Sequence, residues 1–187
     1  MKYILGIVTV LIFSVSFFSC ERWTENSNTL LIDTLVEDSM PQGFAAHTSK
    51  LQLLVQNDSS FFRGKTLGAD KIAVTEPSLT KVEEDGNSIT YTISLEATEE
   101  ADIIYAFDTK DQLSAIDVVF YPKNDTSLQA FKTELIDYYS KKLNGIVSTK
   151  NNKSVLIGTD ANTGIEWTEE GNAQIKDLHM HIFKLSS

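Results

Sequence analysis

Ile89-Thr90-Tyr91-Thr92-Ile93-Ser94-Leu95 alternates without a break between apolar and hydroxyl side chains. Successive side chains of an extended strand point to opposite faces, so Ile89, Tyr91, Ile93 and Leu95 share one face and Thr90, Thr92 and Ser94 the other. The period predicts a half-buried strand. Asp85-Gly86-Asn87, just before it, has the composition of a turn. Either Lys71-Ile72-Ala73-Val74 or Lys81-Val82 is therefore predicted to pair with it. Downstream, Ile103 to Phe107 and Ser114 to Tyr121 read as two further strands. Asp108-Thr109-Lys110-Asp111 joins them at hairpin length.

The pattern then changes period. From about Ser127 to Leu143, Leu128, Phe131, Leu135 and Tyr139, with Tyr138 beside them, recur at helical spacing. Thr126 followed by Gln129 has the form of a capping box. Lys141 and Lys142 fall in the last turn, where cations complement the helix dipole. Asn144-Gly145 supplies a left-handed stop. After it, Val155 to Gly158, Ile165 to Trp167 and Gln174 to Leu185 read as strands, the last two separated by a turn at Glu169-Glu170-Gly171-Asn172.

Upstream the signals are weaker. Phe44, Leu51, Leu54 and Val55 fit a helical face, whereas Leu51-Gln52-Leu53 fits a strand; helix is the expectation. Ser39 to Gly43 breaks the pattern. Thr29 to Val36 reads as a first strand or as a sticky part of a tether. The order of elements, with short loops, predicts an α+β fold: a mainly antiparallel sheet with one well-defined helix (about 127–143) packed on one face. No internal repeat or low-complexity segment is visible.

The first twenty residues belong to a different category. Lys2 precedes an apolar run from Tyr3 to Phe18, and Ser19-Cys20 closes it. This is the layout of an export signal. Phe17-Phe18-Ser19-Cys20 resembles the bacterial lipobox, in the relaxed form of Bacteroidota lipoproteins; Ser19 matches the pattern, whereas Phe18 stands where a small residue is usual. The resemblance covers residues 1–20 alone. It implies a signal peptide over 1–19, lipid attachment at Cys20, and a protein held at the non-cytoplasmic side of a bacterial membrane in the cell envelope. An ordinary secretory signal and an uncleaved anchor are the competing readings. Cys20 is the only cysteine, so no disulfide framework is possible. Residues 20–28 read as a tether and 29–187 as a single domain.

Lys2 is the one charged residue within 1–19, so the remaining 168 residues carry 15 basic and 26 acidic side chains, a net charge of −11 with histidine neutral. Such a surface repels nucleic-acid phosphates, and no nucleic-acid partner is expected. It favours solubility and suits a basic protein partner.

Candidate chemistry is sparse. Gly64-Lys65-Thr66 looks like the end of a phosphate-binding loop, but the required earlier glycine is Ser59. Asp160-Ala161-Asn162-Thr163-Gly164 resembles the opening of a calcium loop, yet its glycine comes one place early and the twelfth position is Gly171. His179 and His181 lie two apart on a predicted strand, share a face with Asp177, and form a weak metal-site candidate. Trp167 is a weak ligand-stacking candidate, with a core position the alternative. No nucleophile–base pair is legible, and no cofactor is expected. The sequence therefore points to a non-enzymatic, membrane-anchored lipoprotein that binds a protein or small ligand. An immunity-type inhibitor of a basic toxin or hydrolase is the second reading, and a metal-assisted enzyme the third.

Overall fold

In the computed structural model, which describes residues 43–150, 152–159, 162–172 and 175–185, eight strands form one antiparallel sheet. β1 (Thr80–Glu84), β2 (Ser88–Glu96), β3 (Glu99–Phe107) and β4 (Leu113–Tyr121) run as one meander. β5 (Ile146–Lys150), β6 (Lys153–Ile157), β7 (Thr163–Gly171) and β8 (Lys176–Lys184) run as a second. The order across the sheet is β1-β2-β3-β4-β8-β7-β6-β5. Each meander starts at an outer edge and works inward, and β8 pairs with β4 at the centre. The alternating stretch that predicted a strand lies inside β2, where Ile89, Tyr91, Ile93 and Leu95 are all buried.

The α+β reading with a dominant antiparallel sheet describes this fold, and among the described residues two α-helices serve it, the shorter one inside the 44–56 stretch where the spacing predicts a helix. α1 (Ser49–Val55) buries Leu51, Leu54 and Val55. α2 (Asp125–Lys142) buries Leu128, Phe131, Leu135, Tyr138 and Tyr139, the stripe that its spacing predicts. Phe131 meets Phe120 of β4 edge to face at 4.7 Å between ring centroids. Tyr139 lies 6.4 Å from Trp167 of β7 and stacks on Phe61 at 5.8 Å. Burying each side chain of this size contributes about 1.5–3 kcal/mol relative to leaving it in water.

The caps of α2 differ in part from the sequence reading. Asn124, not Thr126, is the N-cap: its side chain accepts a hydrogen bond from Ser127 N–H, and Asp125 occupies the first turn. Asn124 precedes the apolar stripe by a full turn, and the tidier Thr126–Gln129 spacing masked it. At the other end, Asn144 takes the left-handed conformation (φ 47°). Its N–H bonds to Lys141 O, and the Gly145 N–H to Ser140 O, the paired bonds of a Schellman stop. Gly145 is required for space: a Cβ there would stand 2.5 Å from the Ile157 carbonyl oxygen.

Three other expectations change. Lys71–Ala73 is a 3₁₀ turn, and β1 over Thr80–Glu84 is the partner of β2. β7 continues through Glu169 and Glu170 to Gly171, where the sequence suggested a turn. β5 was not anticipated, because only Ile146 and Val147 in it are apolar. Cys20 and the segments 20–28 and 29–36 lie outside the described residues. Among the described residues no helix is long and apolar enough to cross a membrane.

Candidate functional site

The register across the strands sorts their side chains onto two faces. One face carries the core and receives the helices. Two buried ion pairs reinforce it. Glu99, fully buried at the start of β3, meets the Lys50 ammonium of α1 and the Ser127 hydroxyl of α2, and accepts the Lys123 N–H. Burial alone would raise the Glu99 carboxyl. The hydrogen bonds from Lys50, Ser127 and Lys123 outweigh it and leave the group below its ordinary value. Lys50 also lies over the Phe120 and Phe131 rings, at 5.3 and 5.2 Å. The second pair is Arg63 Nε to Glu76, 3.3 Å apart and both almost fully buried. Glu76 accepts the Tyr105 hydroxyl at 2.7 Å, which together with burial pushes that phenol upward. These groups hold helices and loops to the sheet.

The other face is not covered by any described element. Thr90 and Thr92 of β2 lead to Ile104 and Asp102 of β3, then to Asp117 and Val119 of β4. The rows continue through His181 and His179 of β8 to Glu166 and Thr168 of β7. One row further, Glu100 pairs with Tyr121, and Asp177 with Glu170. Asp102 accepts hydrogen bonds from the hydroxyls of Tyr121, at 2.9 Å, and Thr92. Burial and the Asp102 charge push the Tyr121 phenol up to about 12. His181 Nδ1 lies 2.6 Å from Asp117, with its ring stacked on Phe183 at 5.1 Å. His179 turns instead toward Glu170, at 3.6 Å. Lys153 of β6 pairs with Glu166 at 2.6 Å.

The sequence-predicted residues separate on this map. Asp177, His179 and His181 share the open face, but the two histidines engage different carboxylates. Among the described residues no group of three or more His, Cys, Asp or Glu side chains is placed to hold a metal ion. His47, the third histidine, stands 3.5 Å from Glu134 on the helix side. Trp167 is fully buried and faces α2, so it offers no ring to a ligand in solvent. Lys65 spends its ammonium on the Thr75 carbonyl at 2.9 Å, which leaves nothing of a phosphate loop. Asp160 and Ala161 of the calcium-loop candidate lie outside the described residues.

A groove of about 1110 Å³ opens where β1 ends, between α1 and the β2 edge. Phe44, Leu53, Leu79, Val82 and Ile93 line it, with Gln52, Gln56, Thr92 and Ser94 among them. Arg63 reaches its wall but donates to the Leu53 and Leu54 carbonyls, at 2.6 and 3.1 Å. Its described lining holds no histidine or cysteine, and Glu100 is the one carboxylate in it.

Asp102, Asp117, Tyr121 and Glu166 are the residues of the open face that sequence reasoning passed over. Alternation within β3 and β4 could have assigned each to the polar side. Asp117 meets His181 only because β8 lies beside β4, a pairing between strands 55 residues or more apart in the chain. Comparison with family models, curated proteins and solved structures gives no match.

Proposed function

We propose that the chain is an envelope lipoprotein, anchored through acylated Cys20 on the non-cytoplasmic side of a bacterial membrane, and that its domain is a non-enzymatic binding module. Its working surface in this reading is the open face of the sheet. The observation that carries the reading is the contrast in charge: Glu100, Asp102, Asp117, Asp177, Glu166 and Glu170 share that face against Lys150 and Lys153, of which Lys153 pairs with Glu166. Tyr121, Val119, Ile104 and Phe183 lie between the acids and supply apolar contact area. A surface of this make-up fits a basic protein, with charge steering the encounter and the aromatic side chains holding it.

The same face favours the immunity-type reading, in which the partner is a basic toxin or hydrolase reaching the envelope. The metal-assisted enzyme has less behind it, because His181 is engaged by Asp117 and His179 lies nearest Glu170. The anchor is tested by radiolabelled palmitate, expected to enter the wild-type chain and to be lost in Cys20→Ser. Absence of label in the wild type overturns it. The binding surface is tested with lysozyme as a basic probe. Association should weaken steeply with salt and fall at least about tenfold in the triple variant Glu100→Gln, Asp102→Asn, Asp177→Asn. Association insensitive to both overturns the open-face reading.

A further inference from the structure

Among the described residues the two outer strands of the sheet have a strand partner on one side only, and they differ in how they guard the other. β1 reads Thr80-Lys81-Val82-Glu83-Glu84, with a register break between Lys81 and Glu83 and a Lys81–Glu84 ion pair at 2.8 Å. Charges and a bulge are the usual devices that keep an edge from pairing with another chain. β5 reads Ile146-Val147-Ser148-Thr149-Lys150 and pairs with β6 through five consecutive residues without a register break. It holds no proline, no bulge and one charge, at its end. Ile146 is 85% exposed, and its cross-strand neighbour Ile157 is 40% exposed.

We propose that β5 is a self-association edge, and that two copies of the chain pair antiparallel through it to form one continuous sheet. The occupant is a second copy because the strand is complementary to itself. In an antiparallel pair, facing residues must share a face of the sheet. The register that overlaps all five residues is centred on Ser148. It sets Ser148 opposite the partner's Ser148, Val147 opposite the partner's Thr149, and Ile146 opposite the partner's Lys150. No like charges meet: the two Lys150 side chains lie at opposite ends, about 13 Å apart along the strand direction. Ile146 gains the aliphatic stem of the partner's Lys150 as cover. The isologous contact closes on itself, so the product is a dimer and not a fibre. This inference rests on the edge and stands apart from the reading of the open face.

Directly facing residues of an antiparallel pair have Cα atoms about 4.5–5.5 Å apart, within disulfide range. The full chain, purified in detergent, is expected to sediment with the protein mass of a dimer at tens of micromolar. Under mild oxidation Ser148→Cys should give a covalent dimer well above the background that the wild type sets. Lys150→Cys and Lys81→Cys should stay at background. Ser148→Lys, which puts two ammonium groups face to face, should weaken association by at least about tenfold with an unchanged circular dichroism spectrum. A monomer in sedimentation, or cross-linking of Lys150→Cys equal to that of Ser148→Cys, overturns the proposal.

Discussion

Glu99 and Glu100 are neighbours on β3 and have opposite fates. Glu99 points into the covered face, is closed off from solvent, and is held by Lys50 and Ser127. Glu100 points to the open face and is exposed. The same residue type thus does two kinds of work, separated by one step of a period-two pattern. On the covered side a charge has to be paired, since a lone buried carboxylate costs several kcal/mol. The pair spans β3 and α1, with Ser127 of α2 as the third partner, so it fixes where both helices sit. On the open side the acids are partly solvated and cost little, and together they set up a negative field over that face.

The comparison can be broken at several points. The largest effect belongs to the covered face: Trp167→Ala should destabilise the domain by about 3–5 kcal/mol, read as a shift of the urea midpoint, because a large buried ring is removed beneath Tyr139. Lys50→Met should follow at about 3 kcal/mol by leaving Glu99 buried and unpaired, and adding Glu99→Gln should recover part of that loss. A loss below 1 kcal/mol for Lys50→Met would show that water or another group reaches Glu99.

Acid sharpens the same point. The Glu99 carboxyl is lowered in the folded chain, so its contribution is complete above the unfolded carboxylate range. It is lost as pH falls through that range toward the folded value. Urea midpoints should therefore drop between pH 5 and pH 3, and the drop should be smaller in Glu99→Gln. The smallest effect belongs to the open face. His181→Ala and Glu100→Gln should leave stability within about 0.5 kcal/mol. Glu100→Gln should nevertheless weaken association with lysozyme about two- to fivefold at low salt. A large stability loss in either variant would mean that the open face is structural after all.

The sequence made legible whatever repeats at short range. β2 is visible in its strict alternation, α2 in its stripe from Leu128 to Tyr139, and the hairpin between β3 and β4 in Asp108 to Asp111. β4 was bounded to within a residue. β5 escaped because Ser148, Thr149 and Lys150 are polar in a strand that buries almost nothing. The 3₁₀ turn at Lys71–Ala73 misled because three residues carry too little period to separate a turn from a strand. The open face was half legible: the likeness of His179, His181 and Asp177 in facing follows from spacing, whereas Asp117 beside His181 follows from topology. The buried ion pairs were illegible, since nothing near Lys50 in the sequence marks it as the partner of a residue 49 positions away.

The central pairing of β4 with β8 has a consequence for how the chain is made. β8 is synthesised after every other strand of the sheet, so the two meanders cannot be stitched together until it emerges. Without Lys176–Lys184, β4 and β7 would each present an unpaired row of backbone groups. The join between the two meanders is therefore a long-range pairing, of the kind that forms slowly because a long stretch of chain must be closed before it is made.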